Sequence, residues 1–249
     1  MTNAVIESRG FSASTAISKT LGQIPESYVV HGSQNFAKQT PVGVEDTDIS
    51  QFTDHILEYS QEYRHCFSVH SLFNPSKLAE ACRTKNIRFY GLVRDQKDQI
   101  TSCYNWFMNG LLTERTDFLA MLVEGHGQSE QFLRQIGLPS TLKNHALFKA
   151  INLIVSYNLQ LCVAAPEIFF MEDTVSDPSK LLERIDFAGE LEDAPQVQQK
   201  NSHRARLEKF GSLDTREELD HICDKLCFTI DGKSVSFAGF EDQLNNKRV

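Results

Sequence analysis

Short apolar runs alternate with longer stretches of helical spacing along this chain of 249 residues. The first run, Ala4-Val5-Ile6, passes through small and hydroxyl residues up to Thr15 and enters an Ala/Leu-containing stretch, Ala16 to Leu21. That pattern predicts a strand, a tight loop and a helix N-terminus. Ser27 to His31, set between Pro25 and Gly32, predicts a second strand. Residues 34–48 have no period and read as a loop, after which Phe52, Ile56 and Tyr59 at i, i+4 and i+7 predict an amphipathic helix over 49–62. Cys66 to His70 predicts a third strand, and Asn74-Pro75-Ser76 a helix start with Leu78, Ala81 and Cys82 inward. Ile87 to Val93 predicts a fourth strand feeding a helix over 94–107. Helical spacing continues to about residue 134, broken near Thr113-Glu114 and at Gly125-His126-Gly127, and resumes as a long, mostly buried helix over 140–162. Glu167 to Met171 reads as the last strand of the sheet. Strands and helices alternating through short connections predict an α/β fold, a single domain whose central parallel sheet is flanked by helices on both faces.

The C-terminal part reads less regularly. Residues 190–212, polar and containing Pro195, read as a mobile loop or lid. Asp214 opens a capped helix running to about Cys227, and 228–237 forms a hairpin around Asp231-Gly232.

Composition narrows the partners. A net charge of −8 argues against broad nucleic-acid or anionic-membrane binding while leaving room for a local basic pocket. No run approaches the length of a membrane span and no basic region precedes an apolar core at the N-terminus, so a cytoplasmic protein is expected. Six cysteines without framework spacing suit reduced thiols. His221-x-Cys223-x3-Cys227 reads as thiols on one helix face beside Ile222 and Leu226, with no second ligand pair to make a metal site.

The candidate chemistry begins in the first loop. Small side chains on either side of Phe11, at Gly10 and over Ser12-Ala13-Ser14-Thr15, let a ligand approach the backbone, and first-turn N–H groups aim positive charge at it. That is an anion site, most often for phosphate; the alternative is an ordinary helix start after a strand. The second glycine and the Lys-Ser/Thr pair of a Walker A loop are missing. Further along, Arg94 at the end of the fourth strand is followed eight residues later by Ser102, with Asp95 and Asp98 between them and Tyr104 and Trp106 beyond. Phe169-Phe170-Met171-Glu172-Asp173 precedes Asp177-Pro178 and Leu181-Leu182.

The Arg94/Ser102 pair resembles the 3′-phosphate motif of the PAPS-dependent sulfotransferases, and the first loop then resembles their 5′-phosphosulfate loop. The segment from Phe169 to Leu182 resembles the stretch that follows the family's last core strand. The three matches stand in family order and span most of the chain. The resemblance implies a P-loop-like phosphosulfate-binding loop in a single α/β domain. It implies a sulfotransferase that moves a sulfuryl group from PAPS to a hydroxyl, less readily an amine, on a small molecule or saccharide, leaving PAP and using no metal. Gly10, Phe11, Ser12, Ala13, Ser14 and Thr15 would hold the 5′-phosphosulfate, and Arg94 and Ser102 the 3′-phosphate. For Arg94 the competing role is an ion pair with Asp95 or Asp98. Arg204 and Lys209 are the basic residues nearest in place to a C-terminal 3′-phosphate segment of the family, unless they simply form a solvated basic face. His70, close to where the cytosolic branch has its catalytic His, is the expected base; His31 is held in reserve, and His126 falls in a surface break. Either strand-end histidine has a purely structural alternative. Adenine would stack on Trp106 or Tyr104, unless these are core. The acceptor pocket falls to loops 33–48, 109–130 and 190–210.

The chain also departs from the family. Phe11 stands where many members carry Lys or Arg, Ser68 replaces the Lys of a Lys-Thr-His segment, and Ala16 replaces a Trp that packs on adenine. Leaving-group charge then falls to the helix N-terminus and Arg9. Two rivals follow: a non-catalytic nucleotide-binding relative, and a kinase-like P-loop enzyme, which lacks here its loop lysine and a clear Mg²⁺ ligand.

Overall fold

The computed structural model describes residues 1–31, 48–187, 216–230 and 232–249. The strands of the main sheet are β1 (Thr2–Glu7), β2 (Ser27–His31), β3 (His65–Val69), β4 (Arg88–Val93) and β5 (Glu167–Phe170). They lie in the order β2-β3-β1-β4-β5 and all pair parallel, with helices flanking the sheet. The chain divides into two compact units. One comprises Met1–Arg94, Tyr157–Gln198 and Gln243–Val249, the other Asp95–Ser156 and Gln199–Asp242.

The first unit carries the sheet. Ala4, Val5 and Ile6 of β1 and Cys66, Phe67 and Val69 of β3 are all wholly buried, as expected of central parallel strands covered on both faces. Alternation along β1 sorts the two layers. Ala4 and Ile6 pack into a cluster with Ile17 and Leu21 of α1 (Ser14–Leu21) and Leu181 and Leu182 of α9 (Ser179–Arg184). Val5 and Glu7 point to the opposite face, and Glu7 bonds Tyr157 of α7 (Leu142–Ala164) there. Also in this unit are α2 (Asp48–Tyr59) and α3 (Pro75–Thr84). The Asn74 side chain accepts from the Ser76 and Lys77 N–H groups at 3.1 Å, and Pro75 takes the first-turn position, where a missing N–H costs nothing.

The edge at β5 is closed by the chain's own end. Ile168 N–H donates to the Lys247 carbonyl at 2.8 Å and Val249 N–H to the Ile168 carbonyl at 3.2 Å, so this side of β5 offers no bare edge there.

The second unit holds α4 (Gln96–Leu112), α5 (Thr116–Glu124), α6 (His126–Ile136), the first part of α7 and α10 (Arg216–Cys223). It also holds the hairpin β6 (Cys227–Ile230) with β7 (Lys233–Ser236) and most of α11 (Phe237–Asn245). The Asp95 carboxylate caps α4 by accepting from Asp98 N–H at 3.0 Å, and Lys97 pairs with Asp220 of α10.

Several expectations need correction. The last strand of the sheet stops at Phe170, because Met171 already starts α8 (Met171–Ser176). Cys227 does not share a helix face with Cys223: α10 ends at Cys223, which is buried, and Cys227 opens β6, exposed. The helix α11 was not anticipated, although Phe237, Phe240 and Leu244 carry helical spacing and are all buried. α7 is long and apolar enough to cross a membrane by length and composition, contrary to the sequence expectation. Half of its most apolar window is buried within the fold, as in a core helix, so it marks no clear span. The loop at 33–48, the lid at 190–212, Arg204, Lys209, the Asp214 cap and Asp231 lie outside the described residues.

Candidate functional site at the carboxyl ends of β1 and β3

Strand order singles out one crevice. From β1 the chain leaves toward β2, and from the neighbouring β3 it leaves the other way, past β1 to β4. Open parallel sheets bind ligands at such a reversal, outside the carboxyl ends of the two strands. Two segments meet there: Ser8 to Ala13 after β1, and His70 to Asn74 after β3.

The first segment is tightly curled. Gly10, Phe11 and Ala13 all have positive φ, at 95°, 60° and 55°. Ala13 is the N-cap of α1, makes no side-chain cap bond, and no acidic residue sits in the first turn. Left-handed residues opening a helix turn backbone N–H groups toward one side, the geometry of an anion-binding concavity. The curl is stiffened from within. Ser8 Oγ lies 2.7 Å from Ser12 Oγ and accepts from Gly10 N–H at 2.9 Å, and both serines are wholly buried. Ser12 therefore shapes the loop, while Thr15 is exposed and Ser14 Oγ sits 3.0 Å from His31 Nε2.

His70 comes just after β3 with φ 66°. Its Nδ1 donates to the Ser8 carbonyl at 2.8 Å, since a carbonyl only accepts. In the neutral ring this leaves the lone pair on Nε2, the form a general base requires. The ring lies against Gly10 so closely that a Cβ there would stand 3.2 Å from His70 Cε1. His31 is the neighbour, with ring centroids 5.9 Å apart. Burial, and then the proximity of His70, push the His31 pKa below the usual imidazole value.

What sequence reading missed is the anchor beneath both segments. Glu7, wholly buried, accepts from Ser8 N–H at 3.0 Å, Ser71 N–H at 3.0 Å, Leu72 N–H at 3.2 Å, the Tyr157 hydroxyl at 2.9 Å and the Ser71 hydroxyl. The single Tyr157 hydroxyl hydrogen is shared between Glu7 and the Phe73 carbonyl, each 2.9 Å away, and the phenol is pushed upward by burial and by the Glu7 charge. One carboxylate thus fixes the end of β1, the segment after β3 and α7. A charged residue closing an apolar strand was the available signal. The Arg9 guanidinium lies 5.6 Å over the Tyr157 ring, in cation–π contact.

Arg94 follows β4, the other neighbour of β1, where Glu7 is in register with Gly91. Gly10 and Arg94 therefore lie equally far past this pair on adjacent strands. The Arg94 side chain is about a quarter exposed, and its Nε is 3.9 Å from Glu172 Oε1. Ser102 is half-buried on α4, in the second unit. There Tyr104 is wholly buried, a core residue rather than an open stacking face, while Trp106 is partly buried and packs on Phe118 at 4.5 Å.

Three of the buried thiols do not compete for a catalytic role. Burial pushes Cys66 up to about 11, and pushes Cys82 and Cys223 up to about 12, so little thiolate is present near neutrality. Two cavities lie at the opposite, amino-terminal edge of the sheet, one of about 690 Å³ against Arg88, Phe89, Ala165 and Lys247, the other of about 370 Å³ against Thr2, Glu26 and His65. Neither includes a motif residue. Set against known protein families and curated proteins, the chain matches no family model and no curated sequence.

Proposed function

We propose that this chain is a PAPS-dependent sulfotransferase acting on a hydroxyl of a small molecule or saccharide, with a P-loop-like loop for the 5′-phosphosulfate. The observation that carries the reading is the pairing, at the strand-order reversal, of the curled Ser8–Ala13 segment with a His70 ring held in one tautomer against Gly10. In this reading the loop N–H groups hold the phosphosulfate and Arg94 the 3′-phosphate. The acceptor oxygen attacks sulfur as its proton passes to His70 Nε2. The bond from sulfur to the 5′-phosphate oxygen breaks, and the charge left on that phosphate is met by the α1 N-terminus and Arg9. His31, biased toward its neutral form, keeps positive charge off its neighbour.

A second reading, a nucleotide-binding relative without the chemistry, is favoured by one observation: the Glu172 carboxylate faces the Arg94 cation that a phosphate would need. Release of PAP from PAPS in the presence of a panel of hydroxyl acceptors separates the two. The enzyme reading expects acceptor-dependent PAP formation, lost in His70→Ala while PAP binding is kept. Tight PAP binding without turnover across the panel supports the second reading, and stabilisation by ATP with Mg²⁺ alone supports the kinase-like rival.

A further inference from the structure

The second unit carries a cluster that the proposed chemistry does not use. His126 opens α6, Glu130 stands one turn later on the same helix face, and His145 lies on α7. One ligand-capable atom from each falls within 4.8 Å of the others. The His126 and His145 rings stack with centroids 4.7 Å apart, and His145 Nε2 is 3.8 Å from Glu130 Oε2.

Hydrogen-bond directions around His145 define what the cluster lacks. Ser129 Oγ donates to the His126 carbonyl at 2.9 Å, so it accepts from His145 Nδ1, 2.6 Å away. In the neutral ring that leaves the lone pair on Nε2. Ser140 Oγ lies 2.9 Å from this Nε2 and 2.6 Å from Glu130 Oε2. A hydroxyl has one hydrogen, so it cannot satisfy both acceptors. The other carboxylate oxygen, Oε1, is taken by Arg134 at 3.1 Å and 3.3 Å. Nitrogen and oxygen lone pairs thus converge on one point with fewer protons than acceptors, and a cation supplies what is missing. The ring nitrogen of His145 already has the outer hydrogen bond that typically orients a metal-binding imidazole.

We infer that His126, Glu130 and His145 form a three-ligand site for a divalent transition-metal ion of the zinc class, with one coordination position left open. Two imidazoles and one carboxylate are a borderline-soft donor set suited to zinc, at about 2.0–2.2 Å from each donor. Tetrahedral coordination at those lengths needs ligand atoms about 3.3 Å apart, so the cluster closes by less than two ångströms on its widest side. His126 is exposed, while His145 is buried. The neighbouring cations are Arg134, committed to Oε1, and Lys149, whose ammonium lies over Gly125. A bound ion would clasp α6 to α7 across the turn at 137–141.

The test is titration of the full chain with Zn²⁺ alone, by calorimetry and by competition with a chromophoric chelator, repeated on His126→Ala and Glu130→Gln. Both substitutions fall on side chains at the surface or its rim, so the fold is expected to survive, and circular dichroism checks this. The expected result is one zinc per chain, bound at least tenfold more weakly by each variant, with Co²⁺ giving the visible absorption of a four- or five-coordinate ion. No zinc bound by the wild type, or a loss of less than tenfold in either folded variant, overturns the assignment.

Discussion

Replacing Glu7 with Gln keeps its shape and removes the charge on which five donors converge. If the amide oxygen takes the place of Oε1, Ser8, Leu72 and Tyr157 keep an acceptor, and the amide NH₂ meets the Ser71 N–H head on. The opposite orientation sets the NH₂ against three donors. Even the gentler arrangement forfeits one charge-assisted bond, worth about 1.5–3 kcal/mol, and leaves a buried N–H without an acceptor, at about 1–3 kcal/mol. The cost is therefore about 3–5 kcal/mol, or about 6–20 °C in the unfolding midpoint for a chain of this length. Tyr157→Phe removes a single hydroxyl hydrogen and costs less, about 2 kcal/mol. Thermal and urea unfolding followed by far-ultraviolet circular dichroism measure both. In Glu7→Gln, nitrogen NMR of the imidazoles should also show His70 losing its single tautomer, because Ser71 and Leu72 no longer hold the segment. A Glu7→Gln protein within about 1 kcal/mol of wild type, or less destabilised than Tyr157→Phe, would refute the anchoring role.

Gly10→Ala sets a Cβ 3.2 Å from His70 Cε1 at a backbone φ of 95°, a strain of about 1–3 kcal/mol, and PAP affinity should fall with stability; calorimetry and urea unfolding measure the two, and an unchanged affinity contradicts the loop assignment. His31 and His65 both have pKa values lowered from the ordinary 6.5, burial being the first cause in each, so the unfolded chain binds more protons below that pH. Stability should be full above about pH 6.5 and be lost as pH falls from there toward their folded-state values, and urea midpoints that rise on acidification over this range would contradict it. Asn74→Ala removes the acceptor for two first-turn N–H groups of α3 and should cost about 1 kcal/mol in urea unfolding, with no measurable change pointing to a cap made by water instead.

The alternation that betrays the sheet is legible because each central strand is buried on both faces and therefore reads as an apolar run, as in Ala4-Val5-Ile6 and Phe89 to Val93. The Ser8–Ala13 curl was legible in its small residues, but not its inner wiring: Ser8 and Ser12 bond each other, a pairing no spacing rule distinguishes from two serines facing a ligand. Glu7 escaped notice because its five partners come from residues 8, 71, 72 and 157, which only the sheet brings together. His70 was found by its position at a strand end, whereas its tautomer depends on a carbonyl 62 residues away. Arg94 shows the same limit, since Glu172, a carboxylate that faces it, comes from the helix after β5, which no local spacing brings near. Cys227 was misread because helical spacing was carried through Asp224 to Leu226, where α10 has ended.

The central claim is that the reversal crevice holds the phosphates of a PAPS-type nucleotide. Isothermal titration with PAP, on the wild type and on Arg94→Ala, tests it most directly. The account predicts one site of micromolar affinity, weakened at least tenfold, about 1.4 kcal/mol, by the substitution. No binding to the wild type, or binding indifferent to Arg94, would contradict it and leave the parallel sheet without the nucleotide site proposed for it.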